Sequence, residues 1–536
     1  MSSIKTQVLI VGGGPVGMTM AALLAKRGVA VCVVEADAGY CLGSRATCVS
    51  RRSLEIMGWA GAEAAMMDKS LPWSDGRSFY RDQQVLHFQM PADPTQRFAP
   101  MVNIQQYYVE EFSHKALLKT LENAPQAIPD MACSSADSVV LWNTRLTTLA
   151  QSSDGVIAKV VAADGAEQTI HADWVVACDG GKSTVREQLG LRLEGMQYDG
   201  RYVIVDIKQK TKRPTERLAW FDPPSNPGST ILMHRQPDDV WRIDYQLRDD
   251  EDPEEAIKPE NVLPRVQSHL SMIGENEPWE FVWIANYNAK CLTLPSYRQD
   301  RVFFAGDAAH LVPIFGVRGL NSGFDDAGNL AWKLALVVQG KAEDQLLDSY
   351  STERVHATHE NLRYGAKSTE FMSPPHHGFR LMREAALRLS TVDKEINSLI
   401  NPRQSLPIEY VGSPLNLTDR SGMPAPEAIL QTKQDGASSS ALPDLKHLSQ
   451  YFGDGFTLLQ LVDIDAGAIK PHPLVRTLAL KKQDAPQVYE RYAGSDAYVL
   501  IRPDGYISAR WKSASEVNLD KALSRIVIKM GAHHAS

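Results

Sequence analysis

The sequence has few cysteines for its 536 residues, and they follow no pattern. They stand at positions 32, 41, 48, 133, 178 and 291 without a Cys-x-x-Cys pair, so neither a disulfide framework nor a zinc site is expected. No apolar run reaches the ~18 residues that a membrane span needs. The first residues also lack the charged, apolar and small-residue layers of a signal peptide. We therefore expect a cytoplasmic protein with reduced thiols, no bound metal and no membrane partner.

An excess of basic charge is also missing. The chain has 56 Lys and Arg against 64 Asp and Glu, a formal net charge of −8. Because a nucleic-acid-binding surface needs clustered positive charge, we expect no nucleic-acid partner. Apolar residues make up 43% of the chain, which excludes disorder as its main state. The length predicts several domain-sized units.

Three glycine-containing turns indicate the chemistry, and the first is GGGPVG at residues 12–17. It lies between a predicted strand, Gln7–Val11, and a predicted helix, Met18–Lys26. In such a turn Gly12 permits the bend, Gly14 lets the backbone approach a pyrophosphate, and Gly17 lets the helix pack on the strand. The N-terminus of the helix then faces the phosphate charge.

A second strand, predicted over Val29–Glu35, ends in an acid. A carboxylate at the end of this strand can bind ribose hydroxyls. Together with the glycine turn, Glu35 predicts a dinucleotide site, but this pattern does not separate FAD from NAD.

The second turn follows a predicted strand that ends in Asp179-Gly180, and Ser183 then opens a short helix. Taken alone, this segment also fits a capped helix after a strand. The third turn, Gly306-Asp307, follows another strand and precedes a glycine-rich stretch and a predicted helix, Phe324–Gln339. Its carboxylate can accept from ribitol hydroxyls, and backbone N–H groups of the glycine-rich stretch can stabilise negative charge on a reduced flavin.

In this order and spacing, the three turns resemble the FAD-dependent aromatic hydroxylases, the group A flavoprotein monooxygenases. The resemblance is strongest to the phenol and 3-(3-hydroxyphenyl)propionate hydroxylase branch and covers about residues 1–365. The tail sequence VLIRPDGY, residues 499–506, resembles the thioredoxin-like C-terminal domain of that branch. Without a Cys-x-x-Cys pair, this domain is expected to be structural.

The resemblance implies an α/β fold with four parts. A Rossmann-like FAD-binding domain takes residues 1–185 and 285–365, and an antiparallel substrate-binding sheet domain takes 186–284 between them. The strand-like runs Tyr202–Ile207, Thr230–His234 and Val240–Leu247 are consistent with this sheet. Residues 366–445 are expected to be a helical segment and linker, and 446–536 the thioredoxin-like domain.

The resemblance also implies which residues contact FAD. Two departures from the family pattern stand out: Val317-Arg318-Gly319 replaces the usual Gly-Gln-Gly, and Thr47 and Cys48 stand where the branch carries an acid. The first leaves open how the charge of Arg318 is used, and the second removes the obvious catalytic base. The implied cofactor-binding residues are Gly12, Gly14, Pro15, Val16, Gly17, Glu35, Arg45, Gln106, Asp179, Asp307, Gly319, Leu320 and Asn321.

The implied reaction hydroxylates a phenolic aromatic compound through a flavin C4a-hydroperoxide, using O2 and NADPH or NADH as co-substrate, and family members are often homodimers. Ionising a phenol of pKa ~10 at pH 7 costs about 4 kcal/mol, so a protein group must lower that pKa or relay the proton. The predicted sheet offers His234, Arg242 and Tyr245 as catalytic candidates. We expect His310, which follows the third turn, to be structural.

Three alternatives remain open from the sequence. The chain could be a tailoring monooxygenase of polycyclic aromatic or polyketide substrates, which would need a larger pocket. It could remove a nitro or halo substituent from an acidic phenol, which would need little help to ionise. It could also be a flavin-binding scaffold without turnover, although the intact Asp307, Gln106 and Gly319-Leu320-Asn321 argue against that.

Overall fold

The structure is a computed structural model that describes residues 3–91, 93–123, 139–400, 404–430, 446–494, 496–524 and 526. Cys133 and parts of the predicted linker and tail lie outside these residues. Within the described residues, no helix combines the length and the apolar character needed to cross a membrane.

The first part of the chain alternates between short strands and helices. Its strands are β1 (Ser3–Val11), β2 (Val31–Val34), β3 (Cys48–Ser50), β4 (Leu71–Trp73), β5 (Asp75–Tyr80), β6 (Gln83–Gln89), β7 (Met101–Asn103), β8 (Val140–Leu141), β9 (Thr144–Gln151), β10 (Val156–Ala162) and β11 (Glu167–Ala177). Its helices are α1 (Pro15–Ala25), α2 (Arg51–Ala60), α3 (Glu63–Lys69), α4 (Gln106–Asn123) and α5 (Thr184–Gln188).

The middle and the end of the chain add long strands, long helices and a small C-terminal unit. The strands are β12 (Glu194–Gln209), β13 (Arg217–Phe221), β14 (Thr230–Arg235), β15 (Val240–Gln246), β16 (Trp279–Thr293), β17 (Arg298–Gln299), β18 (Val302–Phe304), β19 (His310–Leu311), β20 (Phe456–Leu461), β21 (Val475–Leu480), β22 (Tyr498–Ile501) and β23 (Ile507–Trp511). The helices are α6 (Pro253–Ala256), α7 (Pro259–Met272), α8 (Gly319–Val338), α9 (Asp348–Met372), α10 (His377–Ser390), α11 (Asn397–Ile400), α12 (Pro486–Val488) and α13 (Leu519–Leu523).

The first sheet has the order β17-β18-β11-β1-β2-β8, with β9 and β10 attached beside β11. Its centre is parallel, because β1 pairs in parallel with both β2 and β11. All four residues of β2 are buried, as expected for a β-branched strand covered on both faces. The carboxyl ends of β1, β2, β11 and β18 therefore meet at one edge, which is where the predicted turns and Glu35 stand.

The second sheet has the order β19-β16-β12-β15-β14-β13-β5-β6 and is antiparallel except where β13 pairs with β5. Two of its strands, β5 and β6, come from the first 185 residues of the chain. Strand β16 also runs past residue 284. The predicted boundaries at 186 and 284 therefore do not delimit this sheet, because strand pairing joins segments that are distant in sequence.

Side chains on β12–β15 alternate between two environments. Val205, Leu218, Met233 and Ile243 face an apolar layer that helix α7 completes. Residues of the opposite face, such as Ile204, Leu232 and Asp244, line a cavity that the turns of the first sheet also line. Because successive residues of a strand point to opposite faces, the register decides which polar groups reach this cavity.

The C-terminal unit contains a four-stranded sheet with the order β21-β20-β22-β23. A buried cluster of charges joins this unit to α8 and α9. Glu353 accepts hydrogen bonds from Arg502 at 2.8 Å and from Lys333 and Asn329 at 2.7 Å each. Arg502 also donates to Asp504 at 2.9 Å. Buried charges are tolerated when they are paired in this way, so the unit is held by polar as well as apolar contacts.

Substitution of Arg502 by Met should destabilise the protein strongly. Glu353 and Asp504 would keep buried charges with fewer partners, and breaking a buried pair typically costs about 3–5 kcal/mol. Lys470→Met is the matched control, because its ion pair with Asp520 is exposed and should contribute little. The midpoint of urea-induced unfolding measures both. Equal midpoints for the two variants would contradict the stabilising role of the cluster.

Candidate functional site

A single cavity of about 820 Å³ brings the three predicted turns together with the second sheet. Its lining includes eleven of the thirteen predicted cofactor residues, whereas the other two, Gly17 and Asn321, lie behind it. The lining residues among those predicted are Gly12, Gly14, Pro15, Val16, Glu35, Arg45, Gln106, Asp179, Asp307, Gly319 and Leu320.

The glycines of the first turn have different roles. Gly12 has φ +104°, and a Cβ there would lie 2.4 Å from the carbonyl oxygen of Cys178. A Cβ on Gly17 would lie 1.9 Å from the carbonyl oxygen of Gly12. These two glycines are therefore required by the packing of the chain itself. A Cβ on Gly14, by contrast, would meet no heavy atom of the described residues within 4 Å, which leaves space in the cavity at the start of α1.

Glu35 lies at the edge of the cavity, beside the first turn. Its Oε2 accepts a hydrogen bond from the Gly13 N–H at 2.6 Å, and Oε1 accepts from the Asp37 N–H at 2.8 Å. These two bonds fix the carboxylate at the end of β2, next to the space over Gly14.

The second turn combines a cap with an unpaired oxygen. Asp179 Oδ2 accepts from the Val185 N–H at 3.1 Å, and Ser183 caps α5 by accepting from the Arg186 N–H at 3.0 Å. The capped-helix interpretation is thus correct for the chain after the turn. Asp179 Oδ1, however, is buried and has no hydrogen-bond partner among the described residues. Burial raises the pKa of this carboxyl group.

The third turn is held from behind by a buried carboxylate. Asp326, on α8, accepts from the Gly306 N–H at 2.9 Å, from His310 Nε2 at 2.7 Å and from Arg354 Nε at 2.7 Å. Burial alone would raise the pKa of Asp326, but His310 and Arg354 lower it below its usual value. His310 therefore has structural contacts, while the neighbouring Asp307 projects into the cavity.

Arg45 and Gln106 border the cavity next to the second sheet. Arg45 has φ +45°, and its carbonyl oxygen accepts a hydrogen bond from Arg242. Ser44, just before it, donates from its backbone N–H to Asp206 at 2.7 Å. Gln106 Oε1 accepts from the Ala46 N–H at 3.3 Å. This loop is thus attached to the polar face of the second sheet.

Helix α8 begins five residues earlier than predicted, and this explains the position of Asn321. Its Oδ1 accepts from the Ser50 N–H at 2.8 Å and from Ser53 Oγ at 2.7 Å, so the side chain joins α8 to α2. Gly323 permits the close approach of α8 to the first turn, since a Cβ there would lie 2.5 Å from Val16. Within helix α8, only Gly319 and Leu320 line the cavity.

Arg318 is largely buried at the start of α8. Its Nη1 donates to Asn361 Oδ1 at 3.0 Å, and its guanidinium group lies over the Tyr364 ring. The charge that distinguishes this chain from the family pattern is therefore directed toward α9.

A row of polar side chains crosses the cavity face of the second sheet. Arg217 on β13 lies opposite His234 on β14, which lies opposite Arg242 on β15. All three line the cavity and are buried by the surrounding protein. Arg242 Nε donates to Asp244 Oδ1 at 2.7 Å, which fixes the orientation of the guanidinium group. We call Arg217, His234 and Arg242 the polar row.

His234 is a neutral imidazole with one nitrogen toward Cys48. Cys48 Sγ donates to Asn103 Oδ1 at 3.2 Å and lies 3.8 Å from His234 Nδ1. Burial raises the pKa of the Cys48 thiol to about 11, so the thiol proton stays on sulfur. Since the thiol donates its proton to Asn103, we assign Nδ1–H as the donor toward sulfur, which leaves the lone pair on Nε2. Burial and the charges of Arg217 and Arg242 lower the pKa of His234 well below its usual value.

The expectation that Tyr245 lines the pocket is corrected by the register. Arg242 and Tyr245 are three residues apart on one strand, so their side chains point to opposite faces. Tyr245 lies in the apolar layer with α7, and its hydroxyl donates to the Ala256 carbonyl oxygen at 3.3 Å.

Three further residues that line the cavity, Arg217, Asp244 and Cys48, were not predicted from the sequence as cavity residues. Arg217 begins β13, a strand that the apolar pattern RLAWF indicates but that was not predicted. Asp244 could have been found from Arg242, because residues two apart on a strand share a face. No group of three or more His, Cys, Asp or Glu side chains in the described part of the chain could hold a metal ion.

Two glycine substitutions should separate ligand binding from folding. Gly14→Ala fits the protein itself but places a methyl group where a dinucleotide phosphate would approach. The steric overlap of this methyl group with the bound dinucleotide should cost about 1–3 kcal/mol of binding free energy, which weakens FAD binding about tenfold to a hundredfold. The melting temperature of the apoprotein should stay unchanged. Gly17→Ala should lower that melting temperature, since its Cβ meets the Gly12 carbonyl. Flavin fluorescence titration and thermal melting measure the two effects. If Gly14→Ala bound FAD with wild-type affinity, the prediction that Gly14 faces a phosphate group of FAD would be refuted.

A family model described as FAD binding domain matches residues 5–364 of the chain. Curated relatives include a 3-(3-hydroxy-phenyl)propionate/3-hydroxycinnamic acid hydroxylase of Mycolicibacterium smegmatis, 28% identical over 386 residues. A protein of the same name from Shigella sonnei is 31% identical over 373 residues. The matches cover 72% and 69% of this chain but 64% and 63% of those relatives.

Solved structures share the fold. The flavin-dependent monooxygenase PieE, in complex with FAD and substrate, gives a TM-score of 0.76 at 20% identity over 97% of this chain and 99% of that one. The p-nitrophenol 4-monooxygenase of Pseudomonas putida gives 0.61 at 22% identity over 76% of this chain and 100% of that one. The chain thus has the mixed α/β fold of FAD-dependent monooxygenases. Because the family model spans well over half of the sequence, the chain belongs to the FAD-binding domain family, and its cofactor is FAD.

Proposed function

We propose that the protein is a monooxygenase that hydroxylates a phenolic substrate, using FAD, O2 and NADPH or NADH. The observation that carries this proposal is the shared cavity, in which the three turns of the first sheet face the polar row of the second. When bound, FAD supplies the redox chemistry and oxygen activation that amino-acid side chains lack.

The residues present fit an FAD molecule. The open space over Gly14, at the N-terminus of α1, suits a pyrophosphate, and Glu35 beside it suits a ribose. Asp307 would accept from the ribitol hydroxyls, and the backbone at Gly319 and Leu320 would face the flavin ring. The remaining lining residues proposed to contact FAD are Pro15, Val16, Arg45, Gln106 and Asp179, whose unpaired Oδ1 offers a further acceptor.

The polar row is suited to remove the proton of a phenol. Ionising an ordinary phenol at pH 7 costs about 4 kcal/mol. One cation about 4 Å away contributes a similar amount at an effective dielectric constant near 20, so Arg242 can offset much of that cost. Burial and the same charges keep His234 neutral, so that Nε2 is free to accept a hydrogen bond from the phenol. Because these effects also disfavour the imidazolium form, His234 is the proposed relay that passes the proton on to solvent, and Arg242 stabilises the phenolate.

The cavity also offers apolar walls near the polar row. Leu232 and Phe315 belong to one apolar cluster, against which Ile314 packs. All three line the cavity. They would keep water away from the space in front of His234, which would limit wasteful release of hydrogen peroxide and strengthen the electrostatic effect of Arg242.

We also propose that the C-terminal unit is a thioredoxin-like domain with a structural role. Its sheet combines one parallel pair, β20–β21, with two antiparallel pairs, and no cysteine occurs after Cys291.

A cytoplasmic homodimer is proposed as well. Exposed apolar side chains on α10, such as Leu381 and Met382, suit a subunit contact. Light scattering of the purified protein tests the dimer.

Phenols should accelerate NADPH or NADH oxidation by the yellow holoenzyme and gain one oxygen atom. His234→Gln should reduce turnover of a phenol of pKa ~10 by about 10²-fold or more, because Gln cannot take up the proton. An acidic phenol should lose much less. Tyr245→Phe, on the other face of the sheet, is the matched control and should behave as wild type.

Mass spectrometry of the product separates the proposed reaction from its alternatives. Loss of nitrite or halide would indicate oxidative displacement, and turnover restricted to fused-ring phenols would indicate a tailoring enzyme. Absence of any phenol-stimulated oxidation of NADPH or NADH would refute the proposed function.

The pH dependence should reflect the depressed pKa of His234. Protonation would occupy the lone pair of Nε2, but it occurs only well below the usual pKa of ~6.5. The kcat/KM value should therefore stay level as the pH falls from about 8 to about 6. Steady-state rates with a substrate that does not titrate in this range provide the measurement. An acidic limb with an apparent pKa near the ordinary value would contradict the role of the flanking arginines.

A further inference from the structure

We propose that Arg217 binds a carboxylate carried by the aromatic substrate, so that phenols with an acidic side chain are the preferred substrates. This inference rests on the proposed hydroxylase function and names the substrate class of the same cavity.

Arg217 differs from the other buried arginines in its contacts. In the described part of the chain seven arginines are almost fully buried, and six of them donate hydrogen bonds to protein carboxylate, amide or carbonyl oxygens. Arg217 is 4% exposed and lines the cavity, yet none of its donors has a hydrogen-bond partner among the described residues. The six bonded arginines are Arg52, Arg186, Arg242, Arg318, Arg354 and Arg502.

An unpaired buried guanidinium group is costly unless a ligand completes it. A buried charge without partners loses its hydration without compensation. The guanidinium has five N–H donors in a planar fork that matches a carboxylate with two parallel hydrogen bonds. Asp244, a carboxylate on the same face of the sheet, is already bonded to Arg242. Arg217 therefore offers a preformed site for an anion inside the cavity.

The position of Arg217 would also keep the substrate carboxylate apart from the phenol hydroxyl group. Arg242 contacts the loop that contains Arg45, whereas Arg217 lies two strands away, about 10 Å at the usual strand spacing. His234 lies between them. A substrate whose hydroxyl group faces His234 and Arg242 would thus direct a side-chain carboxylate toward Arg217.

Charge retention supports the same assignment. Burial lowers the pKa of Arg217 to about 10, with smaller opposing contributions from Cys48 and Asp244. The guanidinium group is therefore still charged at neutral pH, when a carboxylic acid is ionised.

The test compares 3-(3-hydroxyphenyl)propionate with its primary amide, which keeps the phenol and loses the charge. The wild-type holoenzyme should prefer the acid about a hundredfold in kcat/KM, because a site built for hydrogen bonding rejects an analogue that leaves it unpaired. Arg217→Met should raise KM for the acid about a hundredfold and leave the amide nearly unchanged. Arg217→Lys should recover part of the preference.

Arg77→Met is the matched control, because Arg77 lies on the neighbouring strand β5, pairs with Glu216 and does not line the cavity. It should keep the wild-type preference. FAD content and melting temperature confirm that each variant is folded. If Arg217→Met proved unfolded, the acid and amide compared on the wild-type protein alone would decide.

Equal use of acid and amide by the wild type would overturn the proposal, while leaving the hydroxylase function intact. Equal losses for both compounds in Arg217→Met would overturn it too, because Arg217 would then bind the phenolate. A raised KM for NADPH or NADH alone would assign Arg217 to that cosubstrate instead.

If no phenol stimulated turnover, the hydroxylase function would fail. Quenching of flavin fluorescence by the acid would then test Arg217 separately.

Discussion

The need to pair every buried charge connects the distant parts of this protein. Two consecutive residues of α9, Glu353 and Arg354, serve different partners. Arg354 supports Asp326, which holds the turn at Gly306, while Glu353 receives Arg502 from the C-terminal unit. One turn of helix thus joins the carboxyl edge of the first sheet to the C-terminal unit. Because an unpaired charge in this layer would be expensive, the arrangement fixes the relative positions of these elements.

At the cavity, in contrast, some polar groups have no partner in the protein, and this contrast indicates a ligand-binding site. Around it, the protein leaves polar groups incomplete: Asp179 Oδ1 has no partner among the described residues, Arg217 donates to none of them, and a Cβ on Gly14 would meet open space. Incomplete groups at a cavity wall are acceptable when a ligand completes them. Two of them suit the cofactor and one suits the substrate, so the same chamber can bind both.

The sequence was sufficient for features that depend on local spacing. The three glycine turns and Glu35 were predicted from neighbouring residues, and all of them meet at the carboxyl edge of the first sheet. The strand-like runs at residues 202–207, 230–234 and 240–247 were likewise predicted and correspond to β12, β14 and β15, except that β15 ends at Gln246.

Features that depend on long-range pairing were not predictable in this way. The joining of β5 to β13 is set by contacts between segments more than a hundred residues apart. The face on which Tyr245 lies follows from strand register, which a single sequence determines only weakly. Arg217 was missed for the same reason, since its significance depends on being opposite His234.

The high pKa of Cys48 has a consequence for the proposed monooxygenase function. The thiolate, and not the thiol, reacts with hydrogen peroxide and other oxidants. With a pKa of about 11, only about one Cys48 side chain in ten thousand is ionised at pH 7. The sulfur can therefore stand beside His234 as a hydrogen-bond acceptor and still resist the damage that escaping peroxide would inflict on a more acidic cysteine.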